Sequence, residues 1–333
     1  MKYLPLCTCL IFLLFFLPVK AQFFDFNADV HIEGLVYSQK ESPFWLHSNT
    51  RDRIDETSNY SGWLNGKVGY EVTPNAHFEF GTGILYHDGY SRDLQLDEVY
   101  FSFRNTWLEA SVGRKQREEL YSGLSATNEN ILWSLHARPL PGIRFDIIKP
   151  IYFWKEGGLA FTASLEEYLT DDERYVNNLR IHHKSFHLIF DRIPNVQLTL
   201  GLQHFVQWRG NSPDYGKLPS SFSDYLNVFM GKEGSNSVQG EEANALGNHL
   251  GSYEASIKTK FRHYDVTFLY NSIFEDNSGR MLRNTPDGRY GVYIEDNSNK
   301  QVKWVNAFMY EFYYTKNQSK ITPTTVGIDN YFN

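Results

Sequence analysis

Val196-Gln197-Leu198-Thr199-Leu200-Gly201-Leu202-Gln203-His204-Phe205-Val206-Gln207-Trp208 alternates with a period of two. Its even positions are Val, Leu, His and Trp, and its odd positions are mostly Gln, Thr and Gly. A strand sends successive side chains to opposite faces, so this segment has one apolar and one wet face. Strands of about ten residues with this pattern, repeated along a chain rich in interfacial aromatics, are the grammar of an outer-membrane β-barrel.

The grammar recurs outward from that stretch. Leu64, Gly66, Val68, Tyr70 and Val72 share a face, Thr73-Pro74-Asn75 turns the chain, and Ala76, Phe78, Phe80, Thr82, Ile84 and Tyr86 continue it. Such pairs are hairpins of the short periplasmic type. Residues 96–103, the turn Arg104-Asn105-Thr106 and then Leu108, Ala110 and Val112 repeat it. So do residues 253–261 and 264–270 across Arg262-His263, and a long strand is expected over residues 302–314. Longer polar segments at 38–60, 114–142, 209–250 and 272–300 are read as loops, with local helix expected over 115–135. The expectation is an all-β, antiparallel transmembrane barrel of about twelve to fourteen strands in this chain. A soluble β-sandwich or propeller is the rival, but its apolar faces would have to pair with another sheet.

The N-terminus has the order of a secretory signal peptide. Lys2 precedes an apolar stretch over residues 4–17, Pro18 breaks it, and Val19-Lys20-Ala21 offers a cleavage site. Residues 1–21 are therefore expected to be removed and 22–333 to form one barrel domain. Both cysteines, Cys7 and Cys9, fall in the leader, which leaves no disulfide or thiolate metal site. Removal also takes Lys2 and Lys20 and no acid, leaving 30 basic against 39 acidic residues, a balance of −9 with neutral His. That balance argues against nucleic acid as a partner. No run of about 18 apolar residues follows the leader, so no spanning helix is expected. The mean hydropathy of −0.45 is compatible with strands that are apolar on one face only. Aromatics at 16% suit interfacial girdles and sugar stacking alike. The chain stops at Tyr331-Phe332-Asn333 after a loop-like stretch, unlike a closing strand, and is expected to be a fragment lacking its last hairpins.

Catalytic signatures are weak. Gly123-Leu124-Ser125-Ala126-Thr127 breaks the nucleophile-elbow pattern, and Gly231-Lys232-Glu233-Gly234 is no phosphate loop. His182 and His183 point to opposite faces of a strand, which with His187 makes a poor metal cluster, and no metal is expected. Glu166-Glu167 with Asp171-Asp172-Glu173 are the only carboxyls placed like a glycosidase pair.

Three loop motifs mix aromatics, amides, His, Asp and Arg with glycines. They are residues 43–51 (Pro-Phe-Trp-Leu-His-Ser-Asn-Thr-Arg), residues 246–254 (Leu-Gly-Asn-His-Leu-Gly-Ser-Tyr-Glu) and residues 274–280 (Phe-Glu-Asp-Asn-Ser-Gly-Arg) continuing to Pro286-Asp287-Gly288-Arg289-Tyr290-Gly291. Side chains of these kinds stack on sugar faces and hydrogen-bond hydroxyls or carboxylates. Trp45, His47, Arg51, Arg53, Asn248, His249, Asp276 and Arg280 are the expected polysaccharide contacts.

These motifs, together with Gly113-Arg114-Lys115, Ser122-Gly123 and Pro139-Leu140-Pro141, resemble the capsule assembly Wzi family in the form seen in Bacteroidetes-type bacteria. The resemblance spans most of the chain after the leader. It implies a barrel of about eighteen strands with helical elements near the periplasmic side. It also implies a lectin-like, non-enzymatic protein that holds capsular polysaccharide at the cell surface among outer-membrane lipid and lipopolysaccharide, with no required cofactor. Members are generally longer, in keeping with a fragment. The alternative from the residues alone is a porin or substrate channel, since alternation and a wet lumen serve it equally well.

Overall fold

The computed structural model describes residues 24–89, 93–155, 157–170, 174–232, 246–275, 280–298 and 303–317. The expected signal peptide lies outside them. Strands β1 (Phe24–Gly34), β2 (Tyr60–Thr73), β3 (Ala76–His87), β4 (Leu94–Asn105), β5 (Leu108–Arg114) and β6 (Gly142–Ile147) follow one another around an antiparallel sheet. The order continues through β8 (Leu159–Leu169), β9 (Arg180–Phe190), β10 (Val196–Trp208), β13 (Asn248–Phe261), β14 (Tyr264–Phe274), β15 (Gly288–Asp296) and β16 (Ala307–Tyr314). The short β7 (Ile151–Tyr152) pairs with β8, and β11 (Asn211–Ser212) pairs with β12 (Gly216–Lys217) apart from the main sheet. Two short helices, α1 (Phe44–His47) and α2 (Phe222–Met230), sit in long connections.

Sequence neighbours pair throughout, so register follows from alternation. On β10, Leu200 stands opposite Leu188 of β9 and Ala255 of β13, while Gln203 stands between Ser185 and Ser252. A one-residue slip would exchange the two faces of the strand, which the patterning forbids. The outward rows stay uncovered: Phe80, Phe101, Phe186, Leu200 and Phe268 are each 46–49% exposed. The inward rows are polar yet buried, among them Asn65, Ser102, Glu166, Gln203, Ser252, Asn271 and Arg289. Among the described residues 27 polar or charged residues are buried against 15 hydrophobic ones. That inverts a soluble sandwich and fits a wall with lipid outside and polar matter inside.

The wall is rolled. Asn49, in the connection after β1, donates to the carbonyls of Ser125 and Ala126 at 3.3 and 2.9 Å. Glu311 on β16 accepts from the Ser125 hydroxyl and the Ala126 N–H at 2.9 and 2.8 Å. Laid flat, the steps from β1 to β16 at ~4.8 Å each would separate those strands by about 58 Å. Curling about a common lumen brings both ends to one dipeptide. Within the described residues β1 pairs as a strand only with β2 and β16 only with β15.

Connections of two residues, as at Pro74-Asn75 and Arg262-His263, lie at one end of the wall together with 148–158 and 297–306, and the longest connections, 35–59, 115–141 and 209–247, lie at the other. Near the long-connection end β4 carries an extra residue, since Ile84 faces Leu96 but Gly83 faces Glu98. The bulge turns Asp97 and Glu98 both inward, where each is almost fully buried.

Three expectations change. Residues 115–135 are not helical beyond a single 3₁₀ turn at Tyr121–Gly123, because side-chain bonds shape them: Asn128 accepts from the Leu120 N–H and donates to the Glu118 carbonyl, and Ser125 and Asn130 bond the wall. The polar stretch 272–300 contains β15, whose inward Arg289 and Tyr293 disguised the alternation. The last strand begins at Ala307, after Trp304-Val305-Asn306, and residues 301–302 lie outside the described ones.

Candidate functional site

Residues 115–141 leave the end of β5, cross the lumen and return to β6. Their side chains reach most of the wall. Gln116 donates to Asp97 of β4 at 3.2 Å, and Asn130 bonds Ser252 of β13 at 3.1 Å. Ser122 bonds Tyr293 of β15 at 2.9 Å, and Thr127 accepts from Arg289 of the same strand. On the opposite side the N–H of Arg51 donates to the Leu135 carbonyl at 2.7 Å. An inward wall of hydroxyls, amides and carboxylates can satisfy an irregular segment in this way, where an apolar wall could not.

One layered arrangement stands out within the segment. The Arg117 guanidinium lies 3.7 Å over the Trp133 ring, and Trp133 stacks on Phe205 of β10 with centroids 5.0 Å apart at 28°. Arg117 also bonds the Glu166 carboxylate and donates to the Tyr168 hydroxyl at 3.3 Å. Burial alone would lower the proton affinity of Arg117, but the adjacent Glu166 carboxylate outweighs it and holds Arg117 above its ordinary value. A buried pair, a cation–π contact and a ring stack thus fix Trp133 in orientation.

Beside this stack lies a cavity of about 650 Å³. Trp133, Tyr168, Phe205, Leu132 and Leu250 give it an apolar side. Gln116, Gln207 and Asn248 supply amides, and Arg114, Lys115, Arg117, Arg138 and Arg174 supply five cations against Asp52 and Glu275. Those cations are held: Lys115 by Glu109 at 2.6 Å, Arg138 by Asp52 at 2.9 Å, and Arg114 by the Pro139 carbonyl at 2.9 Å. The wall residues come from the ends of β8, β10 and β14 and the starts of β9 and β13, all at the long-connection end. An aromatic face flanked by fixed N–H donors suits a ring bearing hydroxyls or carboxylates.

Of the residues expected from sequence, Asn248 lines this cavity. Arg51 and Arg53 flank Asp52, which also lines it, but their side chains differ in fate. Arg53 is buried in a two-point pair with Asp97 at 2.6 and 3.2 Å and lies over Trp63. Arg51 sits at φ 63°, half-buried, and burial followed by the Arg53 charge lowers its pKa. Trp45 stands on α1, 74% exposed, and His47 bonds the Ser42 hydroxyl at 2.9 Å. His249 faces outward and bonds His204 at 2.8 Å. Arg280 is exposed, and its carbonyl accepts from Tyr253 at 3.1 Å. Asp276 lies outside the described residues. Sequence reasoning passed over Trp133, Phe205, Arg117, Arg138 and Arg174. The run Arg114-Lys115-Gln116-Arg117 at a strand end was the available signal.

Glu166 and Glu167 do not share a face. Glu166 faces the lumen, while Glu167 faces outward and meets His182 at 2.5 Å. His183 faces the lumen, 3.0 Å from Glu166. Among the described residues no cluster of three metal-binding side chains occurs. Asp171, Asp172 and Glu173 lie outside them.

Comparison with known proteins gives the following. The family described as capsule assembly protein Wzi matches residues 30–333. No curated protein matches the chain in sequence. Among solved structures, the Escherichia coli outer-membrane protein Wzi, described as involved in group 1 capsule assembly and as a carbohydrate-binding β-barrel, aligns with a TM-score of 0.51 and 14% identity. The alignment covers 88% of this chain and 56% of that one, so this chain spans little more than half the length of that relative. Salmonella typhi OmpF in complex with daunomycin aligns over 87% of this chain and 97% of its own, at a TM-score of 0.36 and 9% identity.

Proposed function

The chain belongs to the capsule assembly protein Wzi family, and we propose that it is a non-enzymatic, lectin-like barrel of the outer membrane that anchors capsular polysaccharide at the cell surface. The observation that carries the reading is the cavity beside Trp133, with its fixed aromatic edge and surrounding N–H donors. It lies at the long-connection end, which in barrels of this class faces the outside. The glycan enters there, a sugar ring lies against the edge of Trp133, and Arg138, Arg174 and Asn248 bond its polar groups. Trp45 and Arg280, both exposed, extend the contact beyond the cavity, and Asp276 belongs to the same long connection as Arg280. Arg51, Arg53 and His47 are positioning residues for the loop that carries Asp52.

The absence of a catalytic role is supported by the split of Glu166 and Glu167 to opposite faces. A channel needs an unobstructed lumen, and the crossing of residues 115–141 favours binding over conduction. The outward rows meet outer-membrane lipid, with lipopolysaccharide among the amphiphiles in contact. Residues 1–21 act as a cleaved export signal, and residues 22–333 form one domain.

The test compares a strain lacking the gene with strains restored with the wild type or with Trp133→Ala, measuring polysaccharide held on cells and shed into the medium. Unchanged total polymer that shifts to the medium in the deletion and in Trp133→Ala supports an anchor acting through this cavity. Polymer that stays on cells in the deletion overturns the anchoring function. A shift in the deletion alone moves the binding site away from Trp133.

A further inference from the structure

Helix α2 lies on the outside of the wall. Its Val228 packs with Val206, Trp208 and Leu246, and Val206 and Trp208 belong to the outward row that also carries Leu200 and Leu202. Lys184, on the outward row of β9, bonds the carbonyl of Phe229 and lies 3.9 Å from that ring. The helix is locally determined: Ser221 and Asp224 form a capping box, and Gly231 ends it at φ 64°.

At 3.6 residues per turn the nine positions divide into three arcs. Asp224, Tyr225, Val228 and Phe229 turn toward the sheet. Phe222, Leu226 and Met230, 75%, 48% and 61% exposed, form one apolar stripe away from it. Ser223 and Asn227 form a polar strip along the stripe's edge. A helix bordered by protein, an apolar zone and a polar zone has the partition of one lying in a membrane interface.

Its height on the wall agrees. From Val196, at the short-turn end, to Val206 the strand rises about 34 Å at ~3.4 Å per residue. A tilt of about 40° leaves about 26 Å along the normal, close to the apolar band of about 25 Å in this class. The helix therefore sits where the lipid-facing rows end. It also covers the outward His182–Glu167 contact, against which Tyr225 and Phe229 lie and which acyl chains would otherwise meet.

We propose that α2 is a membrane-interfacial helix, with Phe222, Leu226 and Met230 inserted among the lipids at the acyl–headgroup boundary of the outer leaflet. The stripe stands at the height where the lipid-facing rows end, against Val206 and Trp208, which is what selects lipid over another protein as its occupant. It needs only the barrel, not glycan binding.

Site-directed spin labelling tests it. Cys7 and Cys9 are the only cysteines, so a background in which both are Ala accepts single labels at Ser223→Cys, Leu226→Cys or Met230→Cys, with Leu200→Cys as the lipid reference. The full chain is placed in phosphatidylcholine vesicles, and collision with oxygen is compared with collision with a water-soluble nickel chelate. Labels at 226 and 230 are expected to favour oxygen within about twofold of the reference, and the label at 223 to favour nickel. Nickel preference at 226 and 230 would place the stripe in water, and protection from both reagents would place it against another protein. Either result overturns the proposal. Heat-modifiable gel migration confirms folding. A variant that fails it is replaced by tryptophan at the same position, read by brominated-lipid quenching with the same two outcomes.

Discussion

Ser125, in the middle of the lumen segment, donates its hydroxyl to Glu311 on β16 at 2.9 Å, while its carbonyl accepts from Asn49 near the other end of the sheet. One residue thus bridges the far sides of the wall. The segment is a brace as well as an obstruction.

Its obstruction is measurable in planar bilayers. The wild type is expected to pass little current, and a variant in which a Gly-Ser linker replaces residues 118–131 to give large, stable steps. Large steps from the wild type would restore the channel reading.

Trp133 offers a second measurement. Trp133→Ala removes the ring held between Arg117 and Phe205. Losing a contact worth about 0.5–1.5 kcal/mol corresponds to roughly two- to twelvefold weaker binding of purified capsular polysaccharide by calorimetry. Unchanged affinity in a folded barrel would exclude the cavity as the contact.

The pair of Arg117 and Glu166 bears on stability. Both side chains are buried, and removing one partner strands the other. Arg117→Met is expected to cost about 3–5 kcal/mol in urea unfolding from vesicles, with Arg117→Met/Glu166→Leu recovering much of it. A double variant no better than the single would show that Arg144 and His183, not Arg117, balance Glu166.

Asp88 sets a local acid limit. Its carboxylate accepts from the N–H groups of Asn59 and Tyr60 at 2.8 and 3.1 Å. Burial pulls its pKa up, but those donors outweigh it and hold the folded value below 3.8. A depressed carboxylate contributes above its unfolded pKa, and that contribution fades as pH falls through the folded value. Protection of the Asn59 and Tyr60 amides from exchange, corrected for intrinsic rate, is therefore expected to hold down to about pH 4 and then fall. Asp88→Ala should abolish that step, and its persistence in the variant would assign it to another group.

Most of the wall was legible because its information is local. The alternation of residues 196–208 reappears as β10 with those bounds, and Arg262-His263 is the turn between β13 and β14. Strand β15 was read as loop because Arg289 and Tyr293 look like loop residues until Thr127 and Ser122 are known to meet them. The site was harder for the same reason. Asn248 carried a local motif, whereas Trp133 draws its meaning from residues 117, 168 and 205, which no spacing rule connects. Helix α2 escaped notice because nine residues give too little periodicity inside a long polar stretch.

The apolar cluster of Val206, Trp208, Val228 and Leu246 lies outside the wall, and the lumen is held by hydrogen bonds. Among the described residues the interior is more polar than oily, which gives the chain little to collapse on in water. Strand insertion is therefore expected to precede docking of residues 115–141, whose partners run from β4 to β16 and are brought together by the curl of the wall. Folding from the outside inward, with the lumen filled last, is the order this arrangement implies.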